Sequence, residues 1–195
     1  MNMKFLWVIG IFLLVSTANC HAQFVANAKR PVQTQKLYLQ QYGNWLYRCQ
    51  KRVTNGVAQK PTCQVAQELT IQNGKYFSIE AEIIFTKQPG KDTYDLSAMV
   101  PAGLFTPAGV AFSTDQNKPV VEAINSCRPY GCLLLPRPAS ALVAAFRTGL
   151  VGHITWMDLQ GNSRTLLFSL IGFSDAMNAL NSDKLPPPLN TADIK

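Results

Sequence analysis

Ten residues, YFSIEAEIIF (Tyr76–Phe85), constrain the fold more than any other stretch of the chain. Phe77, Ile79, Ala81, Ile83 and Phe85 recur at every second position, with Tyr76, Ser78, Glu80 and Glu82 among the residues between them. A period of two places the first set on one face of a strand and the second on the other. Such a strand needs a second layer over its apolar face and tolerates water on the opposite one. Antiparallel sheets meet both conditions.

The same alternation recurs along the chain. Trp45, Tyr47 and Cys49 alternate with Asn44, Leu46, Arg48 and Gln50. Cys63 opens a second strand, CQVAQELTI, and further strands are predicted at Asp95–Val100, after Lys118 through Ile124, at Cys132–Leu135, Leu150–Asp158 and Ser163–Ile171. Asn55–Gly56, Asn73–Gly74, Gln88–Asp92 and Asp115–Lys118 supply turn chemistry between them. PAGLFTPAGVAF reads as two extended pieces broken at Thr106–Pro107. Two segments change period. Leu142, Val143 and Phe146 fall at helical spacing within Arg137–Thr148, with Pro138 near the start and Gly149 past the end, and Phe173–Leu180 forms a second short helix. The expected fold is all-β, an antiparallel, jelly-roll-like β-sandwich over residues 44–181, with two short helices covering an edge or end. Residues 23–43 read as a polar, extended arm. Residues 182–195, with Pro186–Pro188, read as a flexible Pro-rich tail.

The N-terminus sets the compartment. Lys4, the apolar run Phe5–Val15, and Cys20 and Ala22 at −3 and −1 of a cut before Gln23 describe a secretory signal peptide over residues 1–22. The apolar run is well short of the ~20 residues that span a bilayer. Cys20 raises lipidation as a rival, although Asn19 fits poorly the small residue wanted before a lipidated cysteine.

The cut leaves Cys49, Cys63, Cys127 and Cys132, and an even set in an exported chain implies disulfides. Local pairing predicts Cys49–Cys63 and Cys127–Cys132. Closing the first loop contributes about 3 kcal/mol and the shorter second loop about 2 kcal/mol in the chain-entropy model. Pro129 and Gly131 let the chain turn sharply between the second pair.

Little else carries chemistry. The formal net charge is +7, but the basic residues are scattered, so no nucleic-acid stripe is expected. His153 is the one histidine beyond the cut, on a strand face shared with Val151 and Thr155, and no G-x-S-x-G accompanies it. Glu80 and Glu82 share the solvent face of their strand, and Asp92, Asp95 and Asp158 sit near turns. C-x₁₃-C and C-x₄-C match neither a zinc ribbon nor a C-x-x-C redox motif. No phosphate-cradling glycine motif occurs. No catalytic, cofactor-binding or metal-binding residue is therefore expected, and an enzyme acting on envelope polymers would need Glu80, Glu82 or His153 in a polar cleft. Arg128 and Tyr130, held out on the Cys127–Cys132 turn, are the candidate partner contact.

The ordered set GNWLYRC (Gly43–Cys49), TCQVAQ (Thr62–Gln67), VPAGLFTPAGV (Val100–Val110), CRPYGC (Cys127–Cys132) and SLIGFSDAMNAL (Ser169–Leu180) resembles the invasion-associated locus B family. The resemblance implies a small envelope or secreted protein of diderm bacteria, a β-sandwich with two cysteine pairs, and a part in host-cell invasion in one pathogen group. It brings no catalytic residues. The expectation is an exported, non-enzymatic protein without cofactor that binds a protein partner in the envelope or on a host cell. It would be periplasmic, peripherally associated with the outer membrane, or secreted. The alternative is a periplasmic accessory subunit of an envelope or secretion complex, with arm and tail as tethers.

Overall fold

The computed structural model describes residues 33–73 and 75–188, the side chains of 72, 73 and 76–79 excepted. The expected signal peptide, Cys20 and residues 23–32 of the arm lie outside the described residues, as do residues 189–195 of the tail. The strands are β1 (Gln33–Tyr42), β2 (Trp45–Thr54), β3 (Val57–Ala58), β4 (Thr62–Asn73), β5 (Tyr76–Lys87), β6 (Tyr94–Val100), β7 (Val110–Thr114), β8 (Asn117–Glu122), β9 (Ser126–Arg128), β10 (Gly131–Pro138), β11 (Val151–Met157) and β12 (Ser163–Ser169). Helix α1 (Ser140–Thr148) lies between β10 and β11, and α2 (Phe173–Asn181) follows β12.

The strands form two antiparallel sheets packed as an open sandwich. The larger runs β1-β2-β4-β5-β6-β10-β9, with β3 beside β2, and the smaller runs β12-β11-β7-β8. The period-two pattern decides which faces meet. Trp45, Tyr47 and Cys49 of β2, Ala81, Ile83 and Phe85 of β5, and Leu96, Ala98 and Val100 of β6 are buried on the core face of the large sheet. Val110 and Phe112 of β7 and Ile154 of β11 answer from the small sheet.

The helices do more than cover an edge. α1 buries Leu142, Val143 and Phe146, and α2 buries Phe173, Ala176, Met177 and Leu180. Phe146 and Phe173 join Trp45, Phe85 and Phe168 in one aromatic cluster. Trp45 and Phe173 lie 4.8 Å apart, and Phe146 and Phe168 lie 5.4 Å apart, both edge to face. The Trp45 indole N–H donates to the Ser169 carbonyl at 3.1 Å, so the ring joins the two sheets without leaving a polar atom unmet.

Three segments depart from expectation. The first helix begins at Ser140, because Arg137 and Pro138 still pair with Leu96 and Asp95 beyond a register shift in β10. Proline is tolerated at such irregular strand ends. Residues 33–42 of the arm are strand β1, paired along its whole length with β2. Its polar composition hid the pairing, since an edge strand exposes much of its surface. Residues 182–188 of the tail are fastened to the same edge. Leu39 N–H donates to Pro187 O at 3.2 Å, Tyr38 bridges Pro188, and the Tyr47 hydroxyl donates to Lys184 O at 2.9 Å.

Candidate functional site

β9 and β10 form a hairpin closed by Pro129 and Tyr130. Arg128 pairs with Gly131 and Cys127 with Cys132, so the two cysteines face each other directly. Their disulfide is formed, with an S–S distance of 2.03 Å, and the Cys49–Cys63 disulfide joins facing positions of β2 and β4. The base of the hairpin is anchored. Cys132 is fully buried and pairs with Val100, while Asn125 N–H donates to Leu133 O at 2.9 Å and Leu135 N–H to Asn125 Oδ1 at 2.8 Å. The tip is open: Tyr130 is 71 % exposed and Arg128 is exposed beside it. A planar guanidinium and a phenol present a charge, a ring face and a hydroxyl on a short clipped turn whose backbone has little conformational freedom to lose.

The other candidates are dispersed. Glu80 and Glu82, expected to face solvent, are half-buried. Glu82 Oε1 lies 2.7 Å from Arg48 Nη2, and the Gln64 amide, turned with its oxygen towards Arg48, accepts from the same guanidinium. Arg48 and Glu82 stand on the outer face of the large sheet, on strands separated by β4. Neighbouring strands lie about 4.8 Å apart, which long side chains can bridge. Glu80 falls at the register shift between β4 and β5. His153 is half-buried on the outer face of the small sheet, between Ser113 and Leu167. The whole sandwich separates it from Glu82, so the groups that polymer cleavage would need are not brought together.

The aspartates act locally. Asp158 Oδ1 accepts from the N–H of Gln160 at 3.0 Å and of Asn162 at 2.8 Å, and its Oδ2 accepts from Arg164 Nε at 3.0 Å. The backbone N–H of Asn162 is the chief cause that holds its carboxyl below the ordinary range. Asp95 accepts from Gln88 Nε2 at 2.7 Å within the β5–β6 turn. Among the described residues, no group of three or more His, Cys, Asp or Glu side chains converges as a metal-ligand set.

One feature had no sequence signal. A cleft of about 440 Å³ opens between the β3–β4 loop, the β5–β6 turn and the end of α2, with Lys60, Lys87, Lys91, Asp92 and Asp183 in its lining. Lys87 Nζ lies 3.3 Å from Asn181 O, 3.7 Å from Asp92 and 3.8 Å from Asp183. The ammonium meets carbonyl oxygen at the C-terminal end of α2, where the helix dipole favours a cation. It thereby ties the helix end to the sheet.

The family model for the invasion associated locus B (IalB) protein matches residues 45–181. The chain belongs to the invasion-associated locus B family. The match runs from the first residue of β2 to the last of α2, and so takes in both disulfides and the Arg128–Tyr130 tip. Among solved structures, the crystal structure of invasion associated protein b from Bartonella henselae is similar at 23 % identity, with a TM-score of 0.61. The similarity covers 74 % of this chain and 96 % of that one, and it speaks to the fold. No curated protein matches the chain. β1 and residues 182–188 fall outside the family match, yet they pack on one another. Among the described residues, no helix is long and apolar enough to cross a membrane.

Proposed function

We propose that this member of the invasion-associated locus B family is an exported, non-enzymatic protein that acts by binding another protein, in the bacterial envelope or on a host cell, in support of invasion. The observation that carries the reading is the hairpin tip. Tyr130 is 71 % exposed beside Arg128, on a turn whose base is clipped by a disulfide and anchored in the core. Tyr and Arg dominate the residues that anchor protein interfaces. The separation of Glu82 from His153 supports a binding rather than a catalytic role.

A photo-crosslinker placed at Tyr130 in growing cells tests it. A discrete protein adduct is expected, and it should be lost when Arg128 is changed to Ala in the same chain. Wild-type invasion by an Arg128→Ala, Tyr130→Ala double variant, with no adduct formed, would sink the reading. The packing of β1 against residues 182–188 favours a second one, an accessory subunit of an envelope complex held by these added segments. Co-purification of the chain with a large membrane assembly, rather than its release into the medium, would select it.

A further inference from the structure

We propose that the outer edge of β1 at Gln33–Leu37 is a docking site for an acidic, extended segment of a partner protein, taken up as an additional strand. The inference rests on the reading of the protein as one that binds a protein partner, and it names the chemistry of that partner.

The hydrogen-bonding pattern locates the edge. Leu39 N–H points away from β2, since it donates to Pro187 O at 3.2 Å. Backbone groups alternate in direction along a strand, and β1 pairs with β2 without a register shift from Gln33 to Tyr42. The N–H and C=O groups of Gln33, Gln35 and Leu37 therefore point the same way as those of Leu39, outward from the sheet. Among the described residues, this edge is met at Leu39, by the bond to Pro187 O, and at the Tyr38–Pro188 bridge beside it, and the main-chain groups of Gln33 and Gln35 lie beyond that bridge. A row of outward donors and acceptors is a template for strand addition.

The side chains beside the edge give the charge of the occupant. Lys36 stands directly opposite Lys51 in the β1–β2 register, and like charges at facing positions destabilise a sheet. Neither lysine has a carboxylate within ion-pair distance among the described residues. Both share the side of the sheet that carries Cys49 and Tyr47, but here that side has run past the core. Burial falls from Cys49 to the half-buried Lys51 and Val53. The result is a hollow of about 420 Å³ lined by Thr34, Gln35, Lys36, Tyr38, Lys51 and Val53. Lys36 Nζ lies over the Tyr38 ring at 5.5 Å. A strand added to β1 would place every second side chain on this side, next to Lys36. Acidic residues there would relieve the Lys36–Lys51 repulsion and add charge-assisted contacts. The edge and Lys36 lie on β1, outside the family match, whereas Lys51 lies on β2, within it.

The test is fluorescence anisotropy with the full chain and a labelled seven-residue peptide alternating Asp and Val, with a Lys/Val peptide as control. The acidic peptide should bind, weakening as salt rises, and the basic one should not. Gln35→Pro should lower affinity at least tenfold. Proline removes the outward N–H alone, and edge strands accept it where that N–H faces solvent. Unchanged far-ultraviolet circular dichroism and melting temperature would confirm that the fold is intact. Lys36→Ala with Lys51→Ala should also cost at least tenfold and flatten the salt dependence. Equal binding by Gln35→Pro, or by the basic peptide, would overturn the proposal. So would binding seen only after truncation beyond Pro188, since the chain's own C-terminal residues would then hold the edge. Failure here would leave an adduct at Tyr130 standing, so the two proposals can fail separately.

Discussion

The Tyr47 hydroxyl donates to the main-chain oxygen of Lys184, 2.9 Å away and 137 residues later in the chain. Tyr47 is 1 % exposed, so its ring is part of the core while its oxygen holds the segment after α2 against the large sheet. Burial, followed by the charge of Asp183 and then Tyr42, pushes its pKa from 10.0 up to about 12.

The raised value makes Tyr47 a source of alkaline instability. The folded chain keeps the phenol neutral until about pH 12, whereas the unfolded chain ionises it near 10. Its contribution is thus complete below pH 10 and is lost as pH rises from 10 towards 12, by on the order of 3 kcal/mol across about two pH units. Tyr47→Phe should cost about 1 kcal/mol at neutral pH through the lost hydrogen bond, and should reduce the alkaline slope. Urea unfolding at pH 7 and pH 11 checks both. An unchanged slope in the variant would show that Tyr47 does not ionise on unfolding.

Gly172 should resist substitution more than any surface residue. It has a φ of +87°, and a Cβ there would run into the backbone of Tyr42 and Gly43, at the turn between β1 and β2. A Cβ on Gly43 would in turn meet the Ile171 carbonyl. The two glycines let one turn seat against another, and Asn44 N–H seals the contact by donating to Ile171 O at 3.1 Å. Because the colliding atoms are backbone, they cannot swing aside. Gly172→Ala should destabilise the protein by about 3 kcal/mol or more, read as a lower urea midpoint. Gly161→Ala is the control: it shares the positive φ, but a Cβ there would meet nothing within 4 Å, so its loss should be smaller.

The two disulfides should separate under mild reduction. Cys127 is exposed, whereas Cys49 is fully buried and Cys63 half-buried. A thiolate in solution can reach the Cys127 sulfur first, and access is one of the factors that set exchange rates. Timed reduction, alkylation and peptide mass analysis should show Cys127 and Cys132 labelled before Cys49 and Cys63. Removing the first clip as Cys49→Ala, Cys63→Ala should cost about 3 kcal/mol and the second about 2 kcal/mol. Simultaneous opening would mean that global unfolding, rather than exposure, limits both.

The strands that line the core were legible because their period was intact. Trp45, Tyr47 and Cys49 are buried in the order that alternation demands, and the cysteines pair as local spacing suggested. What failed was long-range and polar. Nothing in QTQKLYLQQY announces a partner ten residues long, because an edge strand is held by backbone bonds and needs few apolar side chains. Glu82 looked solvated because its partner, Arg48, lies two strands away and is set by register. The turn itself was legible because Arg128 and Tyr130 sit between cysteines that must meet. The cleft around Lys87 was not, since its walls come from a loop, a turn and a helix end distant in sequence.

Asp158 offers the complementary test on the acid side. Placed near a turn by the sequence, it proves to be the fastening of the β11–β12 hairpin. It is 9 % exposed and accepts from Gln160 N–H, Asn162 N–H, the Asn162 side chain at 3.2 Å and Arg164. The bonds favour the ionised form, so its folded pKa is depressed, chiefly by Asn162 N–H. The contribution is therefore present above the ordinary carboxylate range and is lost as pH falls through the lowered folded value. Asp158→Asn keeps the shape but turns an amide N–H₂ towards groups that are themselves donors. The amides of Gln160 and Asn162 should then exchange with deuterium at least tenfold faster than in the parent, after correction for intrinsic rates. Asn125, beside the other hairpin, should keep its protection, because its N–H bonds to Leu133 O and owes nothing to Asp158. Equal protection of Gln160 and Asn162 in parent and variant would show that the turn is held by its backbone alone.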